Sequence, residues 1–167
     1  DINNKDWKPT LFNKVKEKIF FLLKKNSIKQ AKENIKYHYD LGNDFYKYWL
    51  DSTMTYSSGM FKKNSNLMEA QLNKYKNICE GINLNKKNKV CEIGSGWGGF
   101  LKFAGDKSHK IDGITISKQQ YDFINKQKDI LNSKIYLKDY RNINKKYDKV
   151  VSIEMFEAVG KKYWNTF

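Results

Sequence analysis

Val90-Cys91-Glu92-Ile93-Gly94-Ser95-Gly96-Trp97-Gly98-Gly99 places a short apolar run, an acidic residue and a glycine-dense turn end to end, and a helix-like segment, Phe100 to Ala104, follows. Strand, glycine turn and helix in that order receive a nucleotide-like ligand at the carboxyl ends of a parallel sheet. Glycines let the backbone approach such a ligand with no Cβ in the way. Gly94, Gly96 and Gly99 satisfy G-x-G-x-x-G, so the turn by itself fits a dinucleotide and S-adenosylmethionine (SAM) equally well.

Downstream of this turn, strand and helix patterns alternate. Lys89–Ile93, Lys110–Thr115, Lys134–Lys138 and Lys149–Ile153 read as strands, Gly99–Asp106 and Lys118–Leu131 as helices, and Asp139–Tyr147 as irregular. This spacing implies an α/β fold with a mostly parallel sheet of about four strands. Upstream, Asn64 to Gly81 reads as a helix with Leu67, Ala70, Leu72, Tyr75 and Ile78 facing inward. The segment from Tyr37 to Phe61 is dense in aromatic residues, and residues 11–35 carry a basic amphipathic pattern. Such a helix either packs on the body with a solvated lysine face or lies on an anionic bilayer. The organisation expected is a helical amino-terminal lid over 1–82 and a sheet domain over 83–167.

Composition narrows the function. A chain of 167 residues can bury a real core. No run approaches eighteen apolar residues, so no membrane span is expected. The net charge of +14 points to anionic partners. All but one of the 32 basic residues are lysines, the exception being Arg141. Bidentate recognition of phosphate and guanine favours arginine, so specific nucleic-acid binding is not expected and a phospholipid surface is. Cys79 and Cys91 have no metal-ligand spacing, which implies no metal site and two reduced thiols in a cytoplasmic protein. The chain begins at Asp1 and shows no secretory signal; a truncated amino end is expected.

The second strand helps choose the ligand. Dinucleotide enzymes usually hold the ribose with an acidic residue at its tip. Here the strand ends Gly113-Ile114-Thr115-Ile116-Ser117, and Asp112 lies within it, facing away from the ligand. This favours SAM. Glu92, beside the turn, suits a cationic aminoacyl sulfonium, or it serves only as a cap on nearby amides.

Six blocks then occur in order. His38-Tyr39-Asp40-Leu41-Gly42-Asn43-Asp44-Phe45-Tyr46 and Met54-Thr55-Tyr56-Ser57-Ser58-Gly59-Met60-Phe61 precede the Glu92–Gly99 turn. Gly113-Ile114-Thr115-Ile116-Ser117-Lys118-Gln119-Gln120, Asp139-Tyr140-Arg141 and Ser152-Ile153-Glu154-Met155-Phe156-Glu157-Ala158-Val159-Gly160 follow it. Together they resemble the cyclopropane-fatty-acyl-phospholipid synthases and the related mycolic acid cyclopropane synthases.

The resemblance implies a partial Rossmann-like class I SAM-dependent methyltransferase fold. It implies addition of a methylene, taken from the SAM methyl, across a cis double bond of a phospholipid acyl chain. Tyr56 and Ser57 would touch the cofactor from the lid side, with Glu92, Ile93, Gly94, Ser95, Gly96, Trp97, Gly98 and Gly99 as its floor. Thr115, Ile116, Ser117, Lys118, Gln119 and Gln120 would surround the ribose and adenine, and Tyr140 and Arg141 would flank the base. Tyr39 would face the substrate. A bound bicarbonate would act as base, held by Glu157 and Ser58. Aromatic walls suit this chemistry, because they stabilise cations through their faces and exclude the water that would trap a carbocation. The expected setting is the inner face of an anionic membrane, with peripheral attachment and a homodimer as the oligomeric expectation.

Four departures from the family pattern temper this. Ser58 stands where many members carry Cys, and Glu154 and Ala158 stand where Gly and His are common. A serine hydroxyl can still donate to bicarbonate, but the changes at Glu154 and Ala158 leave open C-methylation without ring closure, and a small-molecule methyltransferase or a non-catalytic membrane-associated module are further readings. The chain also ends at Phe167, where the family continues for about three more strands. The piece alone is therefore expected to be inactive and poorly stable, with its fourth strand an exposed edge.

Overall fold

The computed structural model describes residues 42–107, 109–127 and 132–167. The expected helix over 11–35, Tyr37 and Tyr39 lie outside them.

Elements run in the order α1 (Gly42–Lys47), α2 (Leu67–Gly81), β1 (Lys89–Ile93), α3 (Gly99–Asp106), β2 (Lys110–Thr115), α4 (Lys118–Lys126), β3 (Ser133–Leu137) and β4 (Lys149–Val151). Single turns of 3-10 helix follow β3 at Tyr140–Asn142 and β4 at Phe156–Val159. The four strands form one parallel sheet in the order β3-β2-β1-β4. The chain steps outward from β1 to β2 to β3, then returns to the other side of β1. Strand order reverses there, and a crevice opens at the carboxyl ends of the strands.

Residues 90–93 of β1 are all buried, which is why this strand reads as a continuous apolar run rather than an alternating one. Val90, Phe100, Leu101, Ala104, Ile111, Ile124 and Val151 form the main core, and Tyr75 of α2 joins the same cluster. Contact between α3 and the sheet is close. A Cβ at Gly113 would lie 2.6 Å from both Leu101 Cδ1 and Ser95 Oγ, so only a hydrogen at that position lets the helix settle on β2.

Three boundaries differ from the sequence reading. Helix α2 begins at Leu67 rather than Asn64, because Asn66 and Glu69 form a reciprocal capping box. Helix α4 stops at Lys126 rather than Leu131, as Gln127 takes an extended conformation with φ −78° and ψ 119°. Strand β4 pairs only as far as Val151 opposite Glu92. Beyond that pair, Ile153, Glu154 and Met155 leave the sheet and line the crevice. A smaller shift moves β3 to Ser133–Leu137.

The buried face of α2 is the least expected feature. It comprises Ala70, Gln71, Lys74 and Tyr75, whereas Leu67 is exposed. Two polar side chains replace the apolar stripe because this face carries the strap 53–60, whose backbone needs hydrogen-bond partners.

Candidate active site

A cleft of about 870 Å³ opens at the carboxyl ends of the strands. Its floor is the β1 turn, where Gly94, Gly96 and Gly98 all take positive φ (83°, 54° and 89°). That conformation costs a side-chain-bearing residue roughly 1–2 kcal/mol. Space adds a second reason for glycine at two points. A Cβ on Gly94 would meet Met155 Cγ at 2.9 Å, and one on Gly99 would meet Tyr75 Oη at 2.5 Å and Thr55 Oγ1 at 2.8 Å. The turn is therefore gripped from both sides, by the segment after β4 and by the strap with α2.

The strap bears the lid-side residues. Tyr56, Ser57 and Ser58 border the cleft with Trp49 and Leu50. Helix α2 fixes the strap from beneath. Gln71 Nε2 donates to the Ser57 carbonyl at 2.7 Å, Lys74 Nζ to the Ser58 carbonyl at 2.8 Å, and Lys74 also donates to Ser57 Oγ. The Thr55 and Tyr75 hydroxyls share a buried hydrogen bond of 2.5 Å. Tyr46, Trp49, Tyr56 and Trp97 form a ring cluster beside it, with Tyr46 and Trp97 centroids 4.6 Å apart. Trp97 Nε1 donates to Asn43 Oδ1 at 2.8 Å and ties α1 to the turn.

The opposite wall comes from β2 and β3. Thr115 Oγ1 donates to Gln120 Oε1 at 2.8 Å and accepts from Ser117 N–H at 3.1 Å. Asp139, buried at the tip of β3, accepts two hydrogen bonds from the Arg141 guanidinium at 2.8 and 2.7 Å. This pair, with Lys138 and Tyr140, closes the cleft edge. Asp112 faces away as expected, accepting from Lys145 and from the Tyr147 hydroxyl.

Glu92 sits at the bottom of the assembly. It is only 2 % exposed, and its Oε2 has no hydrogen-bond partner among the described residues. Burial pushes the carboxyl up from the ordinary 4.5 to about 8, with Ser95 opposing. A buried carboxyl without a cation is an unfinished interaction.

Most of the expected cofactor residues converge. Tyr56, Ser57, Ile93, Gly94, Gly96, Thr115, Ile116, Gln120, Tyr140 and Arg141 line the main cleft, and Ser58 joins them. Glu92, Ser95, Trp97 and Gly99 line a small adjoining cavity of about 40 Å³. The remaining expected residues border neither space. Gly98 is the left-handed N-cap of α3. The Ser117 hydroxyl caps α4, Lys118 pairs with Asp122 on the exposed face, and Gln119 is half-buried. Glu157 is exposed on the turn after β4, although its neighbours Met155, Ala158 and Val159 line the cleft.

Sequence reading missed Gln71, Lys74, Asp139 and Met155. Gln71 and Lys74 are not among the inner positions expected of this helix. Asp139 carried the one available signal, an acid at a strand end followed two residues later by the single arginine.

The residues present fit SAM. Positive-φ glycines leave the turn open to a close approach, Ile93, Ile114 and Ile116 offer apolar surface, and the unpartnered Glu92 carboxyl suits a cation.

Comparison with known proteins agrees. The family model described as mycolic acid cyclopropane synthetase matches residues 26–167. The chain is 41% identical over 133 residues to the cyclopropane-fatty-acyl-phospholipid synthase of Escherichia coli K12, covering 79% of this chain and 35% of that protein. It is 39% identical over 137 residues to a probable fatty acid methyltransferase of Pseudomonas putida, covering 77% and 34%. The crystal structure of a mycolic acid cyclopropane synthase complexed with SAH and CTAB superposes with a TM-score of 0.75 at 29% identity, over 81% of this chain and 50% of that one. The chain thus spans about a third of the length of the curated relatives it matches, and its parallel sheet is part of the fold of these SAM-dependent methyltransferases.

Proposed function

Since the chain belongs to the mycolic acid cyclopropane synthetase family, we propose that the whole protein is a SAM-dependent methyltransferase acting on unsaturated acyl chains of membrane phospholipids, with a cyclopropane as product. The observation that carries the reading is the glycine turn with the buried Glu92 beneath it, whose Oε2 has no hydrogen-bond partner among the described residues, opening into a cleft walled by Trp49 and Tyr56. SAM, when bound, supplies an electrophilic methyl group on a sulfonium.

The residues of this chain do the rest by placement and exclusion. Gly94 and Gly96 give the backbone its close approach, and Glu92 balances positive charge. Thr115, Gln120, Tyr140 and Arg141 hold the nucleoside end. An alkene is a weak nucleophile, so its rate depends on being held in line with the methyl, a positioning effect. Trp49 and Tyr56 border the cleft, where aromatic rings would exclude water from the reacting carbon and stabilise developing positive charge.

A bicarbonate base is what the resemblance implies. Ser58 borders the cleft, and Glu157 is exposed on the turn whose Met155, Ala158 and Val159 line it. C-methylation without ring closure is the second reading. It is favoured by Glu154 and Ala158 at positions where cyclopropane-forming members commonly differ, and by the similarity to a probable fatty acid methyltransferase.

Mass spectrometry of lipids from cells expressing the complete gene tests both. One added methylene with the double bond lost supports the ring, and the same gain with the double bond kept supports methylation. Unchanged lipids in cells that accumulate folded protein refute the assignment.

Peripheral binding to an anionic membrane is part of the proposal. The lysine-rich composition supports it, as do the exposed Phe45, Tyr48, Trp49, Met60 and Phe61 near the cleft. None of the described helices is long and apolar enough to cross a bilayer. Binding to phosphatidylglycerol vesicles is expected to weaken as salt screens the lysines; its absence at low salt would remove this element.

A further inference from the structure

We propose that Glu154 is a positioning residue, a clasp that reaches across the cleft and fixes where Ser58 presents its hydroxyl to the substrate. The inference rests on the methyl-transfer reading for its consequence, but its geometry stands apart from it.

Glu154 is held at φ +48°, a conformation that favours glycine and costs a residue with a Cβ roughly 1–2 kcal/mol. The contact it makes accounts for a glutamate being held there. Its Oε1 accepts the Ser58 backbone N–H at 2.8 Å, joining residues 96 apart in sequence. The Ser58 carbonyl already receives Lys74 Nζ, and the Ser57 carbonyl receives Gln71 Nε2. Both backbone polar groups of Ser58 are therefore engaged, the carbonyl from α2 and the amide from the far wall. With both groups held, the backbone of Ser58, and so the direction of its Cα–Cβ bond, is fixed on the cleft wall.

Charge adds a second role. Lys74 is 7 % exposed, and an ammonium so buried needs nearby anions. Burial pushes its pKa down, and Glu154 and Asp51 oppose this. Glu154 thus supports the strap directly, and again through the lysine beneath it. Its neighbour Met155 lies where a Cβ on Gly94 would be, so the clasp and the contact with the cofactor turn sit on adjacent residues.

The test is hydrogen exchange on the complete gene product, comparing E154A and E154Q with the parent. E154A is expected to speed exchange across residues 54–61 by about tenfold, the worth of a charge-assisted hydrogen bond near the surface, while β1 and β2 stay protected. E154Q keeps an acceptor and loses the charge, so its effect is expected to be smaller. E154G serves where E154A does not fold, since glycine relieves the positive φ and still removes the clasp. With SAM affinity within about twofold of the parent, E154A is expected to lower kcat for lipid methylation about tenfold. Unchanged exchange over 54–61 in E154A or E154G overturns the clasp. Loss of that protection with unchanged kcat overturns its role in positioning. A parent that methylates no lipid overturns the proposed function instead, and the exchange result still decides the clasp.

Discussion

Replacing Glu92 with glutamine tests the electrostatics at the base of the cleft. The carboxyl is buried with one oxygen unpartnered among the described residues, and its pKa is raised to about 8. Below pH 4.5 the group is neutral in the folded and the unfolded chain, so its contribution to stability is intact there. Above 4.5 the unfolded chain releases the proton while the folded chain keeps it. Stability therefore falls as pH rises, and the loss is complete above about 8. The slope approaches roughly 1.4 kcal/mol per pH unit, and a shift of this size amounts to a few kcal/mol across the window. Glutamine has no proton to lose. Glu92→Gln is expected to match the parent near pH 5 and to exceed it by a few kcal/mol near pH 8, read from denaturant unfolding of the complete gene product at each pH. Cofactor binding supplies an independent readout. At pH 7 a carboxyl of pKa 8 is mostly protonated, so a cationic ligand that ionises it releases up to about 0.9 proton per site. Calorimetry in buffers of different ionisation enthalpy measures this release, and Glu92→Gln should abolish it while weakening SAM. Parallel pH–stability curves for the two proteins, or equal proton release, would refute the reasoning.

Other substitutions probe the walls of the turn. Gly99→Ala drives a Cβ to 2.5 Å from Tyr75 Oη and 2.8 Å from Thr55 Oγ1; thermal unfolding should show a loss of roughly 1–3 kcal/mol, as overpacking does elsewhere. Gly94→Ala adds positive-φ strain and displaces Met155, so SAM affinity should fall about tenfold, with partial recovery in the Gly94→Ala, Met155→Ala double variant measured by calorimetry. Trp97→Phe and Asn43→Ala each break the 2.8 Å bond between turn and α1. A double-mutant cycle on unfolding free energy should return a coupling of about 1 kcal/mol, and additivity would show the bond to be idle.

How far the sequence could be read follows from the range of each interaction. Strands β1 and β2 match their expected limits because they are buried runs bounded by polar turns, a local pattern. The glycine turn was legible for the same reason. Helix limits moved where one side chain decides them, as Asn66 does by capping α2. The expected inner face of α2 holds at Ala70 and Tyr75, with Leu72 and Ile78 packed at the edge of the core, but Leu67 is exposed and Gln71 and Lys74 are buried instead. Their partners are carbonyls 14 and 16 residues away, and no periodicity encodes a hydrogen bond to a distant backbone. Arg141 and Asp139 lie only two residues apart, yet the sequence reading sets Arg141 beside the base and gives Asp139 no role. The Glu154 contact, spanning 96 residues, lies beyond any local signal.

The grip on the glycine turn bears on the order in which the molecule assembles. The β1–β2 pairing and the docking of α3 join residues close in sequence, and such contacts form early because their loops are cheap to close. The two jaws of the turn draw on remoter chain: Asn43 reaches Trp97 over 54 residues, and Met155 must return to Gly94 after β2 and β3 have been laid down. On a ribosome, the sheet centre is synthesised and able to pair well before residue 155 emerges. The cleft is therefore expected to mature last, and a nascent chain whose emerged portion ends between residues 120 and 150 would hold a paired β1–β2 with a gaping, incompetent turn.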